Sequence, residues 1–233
     1  MIATAAQCAH SSAAERLPLT VLADNYVDSK YPRSAYGMRP ILYVGNSHDK
    51  SQDIWGHERI YIKFDLTPLP AGVFLISAVL RLYVFYAPKT DLPTALYKVT
   101  ENWSEPDQTW INQASVSEIE VCRNVVGREV DVWVSWDVTA LVRDWLYKSE
   151  GNFGAMIRAV SEERIRDHSA GAWSRQSGIA GKEPQLEVTY LTGQEQLSVL
   201  LAVAAVSLVL IAFRAYWRRS FRSILAKTAF RKF

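Results

Sequence analysis

Gln196 to Phe213 is a run of eighteen residues without a charge, rich in Leu, Val, Ala and Ile, and it constrains this chain more than any other feature. At about 1.5 Å per residue a helix of that length covers roughly 27 Å, close to the thickness of a bilayer core. The run is apolar on every face, lies near the chain end, and is followed by Tyr216, Trp217, Arg218 and Arg219. A buried helix of a soluble protein is the competing reading, but aromatic and basic residues placed just behind an apolar run suit a membrane interface. The sequence therefore predicts a membrane anchor from Leu197 to Phe213, bounded by Trp217, Arg218 and Arg219.

The charges fix its direction. Seven basic residues and no acidic one follow Phe213, whereas residues 1–195 hold 19 basic against 24 acidic side chains, a net of −5. Basic flanks stay in the cytoplasm, so the body is expected outside the cell and the tail within. In that tail Phe221, Ile224, Leu225 and Thr228 recur at helical spacing, which fits either an inner-leaflet helix or a cytoplasmic stub. Met1 to Arg16 lacks a basic start and a continuous apolar stretch, so it reads as a leader remnant or a disordered N-terminus. If the start is complete, a tail-anchored protein with a cytoplasmic body is the alternative. A mildly acidic body is a poor binder of phosphate backbones, so nucleic acid is set aside as a partner. Two cysteines, Cys8 and Cys122, make neither a disulfide framework nor a zinc-finger spacing.

Within the body, short strands alternate with Pro, Gly, Asn and Asp clusters. Glu58 to Leu66 alternates with Ile60, Ile62, Phe64 and Leu66 on one face and Arg59, Tyr61, Lys63 and Asp65 on the other. Leu75 to Ala87 is apolar on both faces, as a central strand would be, and Gln185 to Tyr190 turns Leu186, Val188 and Tyr190 inward. Further strands are predicted at 20–28, 40–45, 95–100, 130–138 and 153–160. One helix is predicted over Val138 to Lys148, with Asp137 as its N-cap. The fold class that follows is all-β, an antiparallel β-sandwich of jelly-roll type with one short helix, plus a C-terminal transmembrane helix. The expected divisions are a leader at 1–16, the sandwich at 17–191, a link at 192–196, the span at 197–213 and a basic tail at 214–233.

The body's landmarks resemble a known family when taken in order. They begin with Ala23-Asp24-Asn25-Tyr26-Val27-Asp28, Leu42-Tyr43-Val44-Gly45 and the run from Tyr61 to Gly72, followed by the strand Ile76 to Val84. Trp103-Ser104-Glu105 with Thr109-Trp110-Ile111-Asn112 comes next, then Trp136-Asp137-Val138-Thr139 with Trp145, Asn152-Phe153-Gly154, Trp173-Ser174-Arg175 and Pro184 to Tyr190. Together they resemble the DNRLRE (disaggregatase-related) domain, grouped with carbohydrate-binding module family 96. The resemblance implies a secreted or cell-surface β-sandwich, in some cases one that binds acidic polysaccharide. His48 to His57 looks like extra loop against the family pattern.

Strand phase sorts the tryptophans. Counting along 130–138, Val130, Val132, Val134 and Trp136 share the inner face, which leaves Trp133 outward with Asp131 and Ser135. An outward indole beside a carboxylate suits a sugar ring, so Trp133 and Asp131 are candidate ligand-binding residues, with Trp55 in the polar stretch Gly45 to Glu58 a second platform. Trp103, Trp110, Trp145 and Trp173 read as packing residues. Asp24 and Asp28 share parity on the first strand and are candidate calcium ligands; solvated strand ends are the blander alternative. His48 and His57 with Asp49 and Asp53 match no established metal spacing. Asn102-Trp103-Ser104 is a formal glycosylation sequon overlapping an expected core tryptophan. No nucleophile elbow, metalloprotease helix or phosphate-cradling loop is present, so no enzyme is expected, although paired carboxylates are a spatial matter. The sequence points to a membrane-anchored, non-catalytic module that binds polysaccharide, with a structural or adhesive envelope protein, in contact with neighbouring envelope proteins, as the alternative.

Overall fold

The computed structural model describes residues 14–148, 151–163 and 168–229, with side chains omitted at 194, 195, 212, 215, 216 and 218–229. Two compact units result: a body formed by Glu15–Ala71 with Leu75–Tyr190, and a second unit that joins Gly72–Phe74 to Leu191–Phe233.

The body is almost entirely β. Its strands are β1 (Glu15–Leu19), β2 (Val21–Asp28), β3 (Ile41–Asp49), β4 (Ile54–Phe64), β5 (Phe74–Tyr86), β6 (Leu92–Val99), β7 (Val116–Val126), β8 (Val132–Asp137), β9 (Ala155–Ala159), β10 (His168–Trp173) and β11 (Gln185–Leu191). Between them lie α1 (Thr139–Tyr147) and a 3-10 turn at Arg175–Ser177. Among the described residues these strands join one eleven-stranded curled sheet in the order β1-β11-β5-β10-β3-β4-β9-β6-β7, with β2 added to β4 and β8 to β5. The sandwich expectation is thus met in a coarser form: the structure is mostly β, in one antiparallel sheet.

Period-two alternation explains the core. Ile60, Ile62 and Phe64 of β4 and Leu186, Val188 and Tyr190 of β11 are all buried, as their phase predicts. β5 is an interior strand bordered by β11, β10 and β8; its Ala78, Leu80, Leu82 and Val84 are buried, while the alternate Val79, Arg81 and Phe85 are half-buried. The exception is Tyr61, placed outward by the alternation yet only 1% exposed. A second cluster of Val27, Val99, Trp103, Ala114 and Met156 covers it, and its hydroxyl donates to the Ala114 carbonyl at 3.0 Å. Trp103 is therefore a packing residue, with its indole N–H donating to the Phe153 carbonyl.

Three local readings change. The polar stretch Gly45 to Glu58 is a β3–β4 hairpin, not a loop: its main chain pairs from Gly45↔Glu58 to Asp49↔Ile54 and turns at Asp53, which has φ 53°. Backbone pairing needs no apolar side chains, so composition hid it. The strand expected over 130–138 starts only at Val132, because Asp131 sits at φ 60° and breaks the alternation, leaving Val130 52% exposed. Helix α1 begins at Thr139 with Val138 in the cap position. The Asp137 carboxylate accepts instead from the Thr139 N–H and hydroxyl, at 2.9 and 2.6 Å. β1, β7 and β10 were not anticipated; their mixed composition carries little periodic signal.

In the second unit α2 runs from Gly193 to Ala229. Among the described residues no helix is long and apolar enough to cross a membrane, so the expected span is not supported by the fold as described. Leu197, Phe213 and Trp217 are exposed, and the Phe213 and Trp217 rings stack one helical turn apart. The side chains of Arg218 and Arg219 lie outside the described residues, as do those of Phe221, Ile224, Leu225 and Thr228, and so do residues 1–13 with Cys8.

Candidate functional site

The candidate site is built on β8. Its register against β5 sets Leu80 opposite Trp136, Leu82 opposite Val134, and Tyr83 opposite Trp133. Trp136 and Val134 point into the core; Trp136 is 1% exposed and its indole N–H reaches the Thr94 hydroxyl at 3.1 Å. One residue before Val134 and three before Trp136, Trp133 takes the opposite face, as the phase predicts, and is half-buried.

Around Trp133 lies an open groove of about 700 Å³, within the ordinary range for small-molecule sites. Its walls come from three stretches: Asp91 before β6, Asn124 to Glu129 at the end of β7 and the following turn, and Val132 to Ser135 of β8. Asn124 ties the walls together, since its amide donates to the Ser135 carbonyl at 2.6 Å and its own carbonyl accepts from the Thr94 hydroxyl. Asp91 and Arg128 face each other across an exposed 3.9 Å ion pair. The groove thus offers one aromatic surface, two carboxylates, a guanidinium and an amide. Such a set can stack on the C–H face of a sugar and exchange hydrogen bonds with its hydroxyls.

On the same face, Trp133 is braced by its neighbours. Tyr83 meets its ring edge-on, the Arg81 guanidinium lies 4.8 Å above it, and Arg81 is paired with Glu187. Lys182 in turn covers the Tyr83 ring at 3.6 Å. Of the residues lining the groove, the sequence named Trp133 as a candidate and not Asp91, Asn124 or Arg128, which come from other segments and carry no local signature.

The other predicted residues lie elsewhere. Asp131 is exposed and outside the groove lining; its N–H donates to the Val84 carbonyl and its left-handed backbone turns the chain into β8. Trp55 is half-buried in the β3–β4 hairpin, stacked on His48 with centroids 4.3 Å apart, while His48 contacts Asp53 at 2.9 Å. It does not line the groove.

Asp24 and Asp28 do not converge. Four residues of strand separate two side chains by about 13 Å, too far for one ion. Both are buried, and each has its own partners. Asp28 contacts Lys30, which also binds Glu58 at 2.9 Å and the Ser47 hydroxyl; Ser169 completes Glu58. Asp24 accepts from the Arg175 N–H at 2.7 Å and gives its own N–H to Glu105, which forks with the Arg175 guanidinium. Burial pushes the Asp24 carboxyl up to about 7, and the nearby Glu105 adds to the shift. Among the described residues no group of three His, Cys, Asp or Glu side chains gathers to hold a metal ion.

Comparison with curated proteins finds no match. A family pattern does match, over residues 16–190, which is most of the chain and the whole of the β body. The landmarks read from the sequence all fall inside that span, as do the groove and Trp133. This chain belongs to carbohydrate-binding module family 96.

Proposed function

We propose that the chain is a non-catalytic polysaccharide-binding module whose ligand lies in the Trp133 groove and whose body is held at the outer surface of a membrane by α2. The observation that carries the binding reading is a half-buried indole, flanked and held by Tyr83 and Arg81, on a groove edged by Asp91, Asn124 and Arg128. Membership of a family of carbohydrate-binding modules supports it. Anchoring is supported by the uncharged run Gln196 to Phe213, by its helical backbone, and by large side chains from Leu197 to Phe213 that are exposed throughout. The basic residues beyond Phe213 favour an inward tail and an outward body. A glycan array probed with the full chain in lipid nanodiscs tests this reading. Binding to a polysaccharide family supports it, and silence across neutral and acidic glycans argues against it.

A second reading, an envelope protein that docks to neighbours, is favoured by the edge strand β7. It ends the main sheet path and presents Ile119 at 81% exposure and Val125 at 47%. Unpaired edges recruit other strands. Self-association lost on Ile119→Lys, together with a silent glycan array, would favour it.

A further inference from the structure

The second unit contains more than a helix. Gly72–Phe74, the turn that leads into β5, belongs to the same compact unit as α2, far from it in sequence. A hydrogen bond joins the two: Gln196 Nε2 in the first turn of α2 donates to the Gly72 carbonyl at 3.1 Å and to the Leu191 carbonyl at 3.3 Å. Gly72 takes φ +72° with open space around it, so the turn can reverse there, and Phe74 is left 56% exposed. The residue after Gln196 is Leu197, 59% exposed, where the apolar run of α2 starts.

These positions coincide with the depth at which a bilayer would begin. If α2 enters lipid at Leu197, the Gln196 amide lies at the headgroup level, and the turn bonded to it lies there too. Aromatic side chains favour that boundary, because their rings are apolar and polarizable while the surroundings are partly wet. We infer that the Gly72–Phe74 turn is a second membrane contact, with Phe74 seated in the interfacial region of the leaflet that α2 enters. The inference rests on the anchoring reading above. Its partner is a phospholipid interface, and no headgroup charge is required, since the turn carries none.

The test uses the full chain with Cys8 and Cys122 replaced by Ser and one new cysteine labelled with an environment-sensitive fluorophore, reconstituted in phosphatidylcholine vesicles. Three positions are compared: Phe74→Cys, Leu208→Cys in the middle of the apolar run, and Ile119→Cys on the exposed edge of β7. The expected result is blue-shifted emission at positions 74 and 208 relative to 119. A headgroup-level nitroxide lipid should also quench position 74 by on the order of twofold more than position 119. If 208 is lipid-protected while 74 matches 119 in emission and iodide quenching, this inference fails and anchoring stands. Water exposure at both 74 and 208 overturns both. All three sites are exposed in the fold, so the substitutions leave packing intact.

Discussion

Trp133 and Tyr83 sit directly opposite each other on β8 and β5, edge to face, with ring centroids 5.3 Å apart and planes at 83°. With Arg81 over the indole as well, the side chain is held in one orientation before any ligand arrives, which lowers the entropy cost of binding. Trp133→Ala should weaken a polysaccharide ligand by about tenfold or more, equivalent to about 1.4 kcal/mol. Trp133→Phe should retain part of that affinity by keeping an aromatic face. Titration calorimetry with the glycan found on the array gives both values, and unchanged affinity in the alanine variant would remove the groove from consideration. Circular dichroism should report a folded body in each case, because the indole packs on the outer face of the sheet.

Lys30 and Glu58 form a buried ion pair, with side chains 8% and 7% exposed. Removal of one member of such a pair strands the other charge away from water, which costs about 3–5 kcal/mol. Glu58→Ala should therefore destabilise the body severely, because Lys30 retains one carboxylate, Asp28, and the Ser47 hydroxyl, and Ser169 loses its acceptor. Lys30→Met should be similarly damaging, since Asp28 and Glu58 would then face each other as like charges. Urea denaturation of both variants measures this, and a loss under about 1 kcal/mol in each would show that water reaches the cluster.

How much of this could be read from the residues depends on where the information is stored. Alternation is local, so Trp136 inward and Trp133 outward followed from counting alone, as did Ile60, Ile62 and Phe64. Counting fails where one backbone angle resets the phase: Asp131 at φ 60° does so, and Val130 emerges in solvent. It fails again where no apolar alternation marks the pairing, as in the His48–Trp55 hairpin. Two-sided burial was hidden as well, because Tyr61 is covered by residues remote in sequence, including Val27, Trp103 and Met156, and its hydroxyl bonds Ala114, 53 positions away. The groove joins the ends of β7 and β8 to Asp91, a juxtaposition set by the curl of the sheet. Asp24 and Asp28 share a strand, as expected, yet sit in separate buried networks, since parity gives a face but not a distance.

Asp24 gives the body a pH signature. Its carboxyl titrates near 3.8 in an unfolded chain and is pushed to about 7 in the fold, chiefly by burial. Between those values the folded state holds the extra proton, so the associated stability is fully present at low pH and is lost as pH rises toward 7. Asp24→Asn keeps an oxygen to accept from the Arg175 N–H yet cannot ionise. Relative to this variant, the parent protein should lose melting temperature from about pH 4 to pH 7 and run parallel above it. Glu105 does not mask the effect, because its own carboxyl lies below the usual range: burial raises it, but Arg175 and the Asp24 N–H outweigh that, so its contribution fades only at more acid pH. Parallel melting curves across the whole range would show that Asp24 is charged in the fold throughout.

Gly154 and Gly72 separate two costs that are usually confounded. Both have positive φ, +93° and +72°, where any L side chain is strained. A Cβ at Gly154 would also lie 2.2 Å from the Ile62 carbonyl oxygen, whereas nothing lies within 4 Å of one at Gly72. Moreover Gly154 sits in a pinned corner: its carbonyl accepts from the Val99 N–H, and Asn152 bonds both the Gly154 N–H and the Phe64 carbonyl. Gly72→Ala should therefore cost about 1 kcal/mol, the conformational penalty alone. Gly154→Ala should cost more than about 3 kcal/mol, because β4 and β9 must part to admit the methyl group. Chemical denaturation of the two variants side by side checks the ordering. Equal losses would mean that the chain around Gly154 shifts freely, and that the Asn152-Phe153-Gly154 corner does not fix the register of β9 against β4.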